Sequence, residues 1–182
     1  MERLWIKKIK RSANEEAANK LITKYYNEIY AFIYKQTLDN ELTLDLTQEI
    51  FISVLKSIQH FDSKKASFRT WLYRLASNRL VDYFRSKSYQ YTKVVQPIEE
   101  YEFQDEQNIV ITLEYKEDFE TVISLLTVLD ATSQQIVRLK LFGEYTFQEI
   151  EAIVSIPLST VKTKYYASIK GIRRAMKEDL YE

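Results

Sequence analysis

Apolar residues at Leu21, Ile22, Tyr25, Ile29, Phe32 and Ile33 recur at intervals of three and four, which predicts an amphipathic helix. Leu46, Ile50, Phe51, Val54, Leu55 and Ile58 predict a second, with Asp45 placed to cap its N-terminus. A third is expected from about Phe68 to Ser86 behind a Ser67 cap. Periodicity then fails over Ser88–Gln107, where Pro97 and the run Glu99, Glu100, Glu102, Asp105, Glu106 read as a linker. Helical spacing resumes at Val110, Leu113, Phe119, Val122, Ile123 and Leu126. Ser133 is expected to open a further helix that stops at Gly143, a residue able to take the left-handed cap conformation.

The C-terminal segment carries the sharpest local pattern. Thr146-Phe147-Gln148-Glu149 is a capping box, in which the threonine hydroxyl takes an amide and the glutamate reaches back to the cap. Phe147, Ile150, Ile153 and Val154 give the following helix an inner face, and Ser155-Ile156-Pro157 turns the chain. Ser159 or Thr160 then starts a helix that runs to about Lys177. Two helices across so short a turn describe a helix-turn-helix. On the second, Val161, Tyr165, Ile169, Ile172 and Met176 fall within about 80° and form a buried stripe. Lys162, Thr163, Tyr166, Lys170, Arg173, Arg174 and Lys177 occupy an adjoining arc, and no acid lies between Leu158 and Lys177. Such a face is either solvated surface or a phosphate-binding surface; its place after the turn and its Ser/Thr-rich start favour DNA.

Composition narrows the chemistry. Of 182 residues 46% are apolar, enough for a core; Cys is absent, His60 stands alone, and there are two Gly and two Pro. These counts exclude a disulfide scaffold, thiolate zinc, a thiol nucleophile and multi-histidine metal sites, and leave too few glycines for phosphate loops. No apolar run approaches the roughly 20 residues of a membrane span, and the basic N-terminus leads into no apolar signal region. A mostly helical, cytoplasmic protein without membrane insertion, cofactor or metal is expected.

The charge balance, 26 basic against 26 acidic residues, hides a layout. Residues 1–93 carry 17 basic and 10 acidic groups, 94–133 one and ten, and 134–182 eight and six. The local potentials therefore run positive, strongly negative, then positive, and local potential steers a polyanion. Within the first segment Trp71, Arg74, Asn78, Asp82 and Arg85 share one helix face, while Leu72, Ala76, Leu80 and Tyr83 share the opposite one. A tryptophan among arginines either caps the core edge or stacks on unpaired bases, with Asn78 able to read a base edge. The preceding loop Phe61-Asp62-Ser63-Lys64-Lys65-Ala66-Ser67 adds two lysines.

These pieces, in this order, resemble the extracytoplasmic-function sigma factors of bacterial RNA polymerase, the two-domain members of the sigma-70 family. Asp45-Leu46-Thr47-Gln48-Glu49-Ile50-Phe51 is similar to the family's D-x-x-Q-E-x-F helix, and Phe68-Arg69-Thr70-Trp71-Leu72-Tyr73-Arg74-Leu75-Ala76-Ser77-Asn78-Arg79 to its F-R-x-W-L-Y-R-I-A-x-N motif. Phe147–Ile150 with Ile156-Pro157-Leu158-Ser159-Thr160-Val161-Lys162-Thr163-Lys164 is similar to the recognition unit. The resemblance implies an all-α fold: region 2 over 1–93, an acidic linker over 94–115 and region 4 over 116–182. It implies that Asp45, Gln48, Glu49 and Phe51 meet the β′ clamp helices of the core polymerase. Phe61, Ser63, Lys64, Lys65, Ser67 and Asn78 would hold a base flipped from the minus-ten element, with Trp71, Arg74 and Arg85 nearby. Ser159, Thr160, Lys162, Thr163, Lys164, Tyr166, Lys170 and Arg173 would read the minus-thirty-five element. The β flap and an anti-sigma factor are further implied partners.

The chain departs from the pattern at Ser155 and Ser159, where glycine is usual, at Ala167, often basic, and at Leu129-Asp130, usually Leu-Pro. A plain helix-turn-helix regulator would explain residues 134–177 but not the Trp71-Arg74-Asn78 face or Asp45–Phe51. Glu49 and Asp82 could serve as acid and base, yet each has a simpler role on a helix surface, and no enzyme is expected. The acidic linker either restrains the free protein from DNA or acts as a soluble tether.

Overall fold

The computed structural model describes residues 1–86 and 119–178; at 177 and 178 it describes the backbone only. The linker expected over 94–115, the apolar positions Val110 and Leu113 and the Lys177 side chain lie outside the described residues. In chain order the helices are α1 (Glu2–Ser12), α2 (Glu15–Thr37), α3 (Asn40–Ser57), a 3-10 turn (Ile58–His60), α4 (Phe68–Arg85), α5 (119–127), α6 (Ala131–Leu141), α7 (Phe147–Val154) and α8 (Leu158–Glu178). The fold is all-α, as expected.

Short polar side chains start these helices, because a terminal turn leaves backbone amides without intrahelical partners. Ser67 accepts the Thr70 amide at 3.0 Å, so α4 begins where the sequence places it. The Thr146 capping box is present in both directions and opens α7. Four expectations are corrected. Asp45 is not a cap: α3 begins nearly two turns earlier behind Asp39, which accepts the Leu42 amide at 2.9 Å. Ser133 does not open α6; Asp130 does, accepting the Ser133 amide at 3.1 Å. The last helix starts at Leu158, just before Ser159, its first amide donating to a Glu151 carboxylate oxygen at 2.9 Å. Gly143 does not take the left-handed conformation; Glu144, at φ 57°, takes it instead.

One apolar cluster runs through both halves, from Leu21, Ile29, Ile33 and Leu46 to Ile136, Ile150, Ile153 and Val161. α1 and α3 pack on α2, and α7 and α8 pack on α6. α4 belongs to both assemblies, touching α2 and α3 on one side and α6 and α7 on the other. The joint has polar pins as well. Gln135 donates to the Ser77 hydroxyl at 2.7 Å, and the fully buried Arg138 donates to the Gln36 carbonyl at 3.2 Å with its guanidinium 4.1 Å from the Phe84 ring centre. Tyr73 and Tyr145 meet edge to face at 4.7 Å.

Candidate nucleic-acid and polymerase interfaces

α3 presents Asp45, Gln48 and Glu49 to solvent, since positions 45, 48, 49 and 52 share one helical face. Glu49 is tied down: its carboxylate accepts from Arg79 of α4 at 2.5–2.6 Å. Phe51 is not on that surface; it is buried, its ring stacked 6.1 Å from Tyr26. It floors a shallow groove walled by Ile22, Tyr26, Gln48, Ile52 and Leu55. Ile52 is 51% exposed, an apolar residue beside three polar ones, and it escapes a periodic pattern because it lies off the inward stripe.

The loop before α4 is anchored by its aromatic and open at its tip. Phe61 is 5% exposed and meets Phe68 edge to face at 5.6 Å and Trp71 at 5.2 Å. Asp62 folds the tip, its carboxylate accepting the Lys64 amide at 2.9 Å, which leaves Ser63, Lys64, Lys65 and Ser67 exposed. Trp71 is half-buried on Phe61 and Phe68, as the core-edge alternative requires, and keeps part of its surface in solvent. Asn78, Asp82 and Arg85 are exposed further along α4. Trp71, Asn78 and Arg85 recur every seventh residue and so share one face of α4, and Trp71 meets the base of the loop through Phe61. Arg74, from the same face, is engaged elsewhere. Its guanidinium donates to the carbonyls of Ile153 at 2.5 Å and Ala152 at 3.2 Å, and to the Ser155 hydroxyl. It thereby satisfies carbonyls left open where α7 ends. Ser155 turns the chain in the left-handed region, φ 58°, the conformation for which glycine is usual.

In the helix-turn-helix, Val161 and Ile172 are buried and Tyr165, Ile169 and Met176 half-buried, so the predicted stripe faces α6 and α7. Ser159, Thr160, Lys162, Thr163, Tyr166, Lys170 and Arg173 are exposed, Tyr166 to 61%. Lys164 stands apart from them: it is half-buried, 3.2 Å from the Asp130 carboxylate and within reach of the Ser133 hydroxyl. Asp130 titrates at about 2, held down chiefly by the Ser133 hydroxyl and further by its amide and Lys164. Among the described residues no group of His, Cys, Asp and Glu could hold a metal ion, and no helix is long and apolar enough to cross a membrane.

A helix-turn-helix over Phe147–Glu178 and a basic aromatic helix behind an open loop over 61–85 are the two candidate contact surfaces of this helical chain. Comparison with known proteins bears on both. The Sigma-70 region 2 family matches residues 21–89. SigW, an ECF RNA polymerase sigma factor of Bacillus subtilis (strain 168), is 26% identical over 192 residues, covering 98% of this chain and 100% of SigW. The RNA polymerase sigma factor YlaC of the same organism is also 26% identical, over 90% of this chain and 94% of YlaC. CnrH, solved in complex with the cytosolic domain of CnrY, superposes with a TM-score of 0.61 over 98% of each chain at 16% identity, a likeness of fold. The chain thus carries a Sigma-70 region 2 match over 21–89, and over most of its length it is similar to proteins named as RNA polymerase sigma factors.

Proposed function

We propose that this protein is a transcription initiation factor that binds bacterial RNA polymerase core in the cytoplasm, directs it to promoters and helps melt the minus-ten element, with no catalysis of its own. Residues 1–93 serve as region 2, 94–115 as the linker and 116–182 as region 4. The observation that carries the reading is the exposure of the Ser63-Lys64-Lys65 tip and Ser67 ahead of a helix face on which half-buried Trp71 and exposed Asn78 and Arg85 recur every seventh residue. Lysine and arginine hold phosphate while an amide reads a base edge. Capturing an unstacked base costs a few kcal/mol, so recognition there is coupled to strand opening. Phe61, being buried, acts as the anchor of the loop rather than as a stacking surface.

On α3, Asp45, Gln48 and Glu49 offer polar contacts to the β′ clamp helices, with the groove over Phe51 taking an apolar side chain. On α8, Ser159, Thr160, Lys162, Thr163, Tyr166, Lys170 and Arg173 face the major groove of the minus-thirty-five element, and Lys164 holds α8 to α6. Arg74 reaches DNA only when α7 leaves α4. A protein partner that holds the closed form, as the CnrY domain accompanies CnrH, fits this arrangement and would act as an anti-sigma factor.

The test is reconstitution. The protein should retain core polymerase without DNA and support promoter-dependent run-off transcription; failure to bind core refutes the proposal and leaves a plain helix-turn-helix regulator. Within the complex, Asn78→Ala should lower strand opening about tenfold, the size of one lost base-edge contact, while closed-complex affinity stays near wild type. Equal loss in both steps contradicts the role given to Asn78.

A further inference from the structure

We propose that α1 is a third nucleic-acid-contacting element: Arg3, Lys7 and Arg11 hold phosphates of the strand beside the base captured by the 61–67 loop, and Lys10 positions that loop. The proposal rests on the reading of the loop given above.

The physical case begins with how α1 is attached. Its apolar side, Ile6 and Ile9, is buried, and its one acid, Glu2, is used internally, accepting from Lys24 and the Tyr25 hydroxyl at 2.5 Å. The end of α1 is clamped to the start of the loop by reciprocal bonds. The Lys10 ammonium donates to the carbonyls of Gln59 at 3.1 Å and Phe61 at 2.5 Å, and Gln59 Nε2 donates back to the Lys10 carbonyl at 2.9 Å. The same ammonium sits 5.8 Å from the Phe61 ring centre. Lys10 therefore fixes the carbonyls of the 3-10 turn from which the loop departs.

Helical geometry places the remaining cations. Arg3, Lys7 and Arg11 succeed one another every fourth residue, about 6 Å and 40° apart, and flank Lys10 on the side away from Ile6 and Ile9. All three are exposed, and among the described residues none pairs with a carboxylate, whereas Lys20 and Lys24 on α2 do. A row of unmatched cations on a helix clamped through Lys10 to the loop that carries exposed Lys64 and Lys65 can act with that loop on one polyanion. A membrane surface is the other polyanion such a helix could meet. Binding there would need the apolar face of α1 in lipid, and that face is packed on α2.

Two variants of the full-length chain test this: Arg3→Gln/Lys7→Gln/Arg11→Gln together, and Lys10→Met. With core polymerase and promoter DNA, the triple variant should bind core as wild type does. Its promoter affinity should fall about tenfold near 0.1 M salt, and the slope of log affinity against log salt should shrink by about 2, three phosphates at about 0.7 each. Lys10→Met should keep the wild-type salt slope and lose strand opening, read by permanganate reactivity, because its bonds reach the loop and not the DNA. A triple variant with wild-type slope and affinity overturns the phosphate role; Lys10→Met with full opening overturns the positioning role. The same slopes measured for the chain alone on a single-stranded oligonucleotide separate this proposal from the previous one. A reduced slope there with no core binding in any variant sinks the sigma reading and upholds the α1 surface. Binding of the wild type to anionic vesicles that exceeds its binding to the oligonucleotide overturns the choice of nucleic acid.

Discussion

Gly143 is held to glycine by contact, not by dihedral. Its φ is negative, but a Cβ there would stand 2.8 Å from the Leu139 carbonyl oxygen and 2.8 Å from Cδ2 of Tyr145. The sequence therefore pointed to the right residue for the wrong reason. A glycine near a helix end suggests a left-handed cap, whereas here it lets the Tyr145 ring close over the end of α6 and reach Tyr73. Glu144 takes the left-handed turn, its carboxylate 2.9 Å from the Lys35 ammonium. Gly143→Ala should destabilise the protein by about 1–3 kcal/mol, the usual cost of overpacking, because the ring that must move lies in the joint between the halves. Urea denaturation measures this; a midpoint equal to wild type would show that Tyr145 yields freely. Ser155 is the converse case. The departure from glycine was legible, but its compensation by the Arg74 guanidinium was not, since that partner lies 81 residues away in sequence.

At the scale of elements, the caps decide what could be read. Ser67 and Thr146 were legible because apolar periodicity begins directly behind them. Asp39 and Asp130 were missed because the first turns they open are mostly polar, and a later Asp45 or Ser133 looks better placed against the first apolar residue. Thr43 shows how a core position escapes a hydrophobic pattern: it is fully buried, its hydroxyl bonded to the Asp39 carbonyl and to Thr37. α1 carries no clear helical pattern in the sequence, since only Trp5, Ile6 and Ile9 mark its inner side and the cations obscure them. The caps also predict a pH dependence. Asp130 ionises at about 2 against an ordinary 3.8, chiefly through Ser133, and Glu149 is lowered from 4.5 chiefly by the Thr146 amide. Both carboxylates are stronger acids in the folded chain, so the stability they add is complete above about pH 4.5. It is lost as pH falls through the folded values, for Asp130 toward 2. Thermal melts of Asp130→Asn should lie below wild type at pH 6, and the gap should narrow steadily as pH falls from about 4 toward 2. Curves that stay parallel across that range would remove the ionised cap as the cause.

At the scale of the whole molecule, the helical segments on either side of the acidic stretch were legible, and the packing between them was not. Gln36, Ser77, Gln135 and Arg138 make that joint, and such residues are mostly found on surfaces, so a pattern reader assigns them outward. Only the fold brings them face to face across α4, where each bond is buried and so costs more to leave unmade than it would in water. The consequence is a closed chain in which one candidate DNA contact, Arg74, serves as the cap of the helix-turn-helix instead. Opening must exchange that cap for solvent or phosphate, and a charge-assisted bond of this kind contributes about 1.5–3 kcal/mol. Arg74→Ala should therefore shift the balance toward separated halves by at least about tenfold. The chain contains no cysteine, so Ser53→Cys and Gln148→Cys, both at exposed positions, can carry a donor and an acceptor without competing thiols. Energy transfer between them should be high in the free protein, fall on adding core polymerase, and already be lower in Arg74→Ala before core is added. Transfer in Arg74→Ala equal to that of the parent would mean that the apolar contacts of α4 with α6 and α7 alone hold the closed state, and that Arg74 is free to leave α7 without opening it.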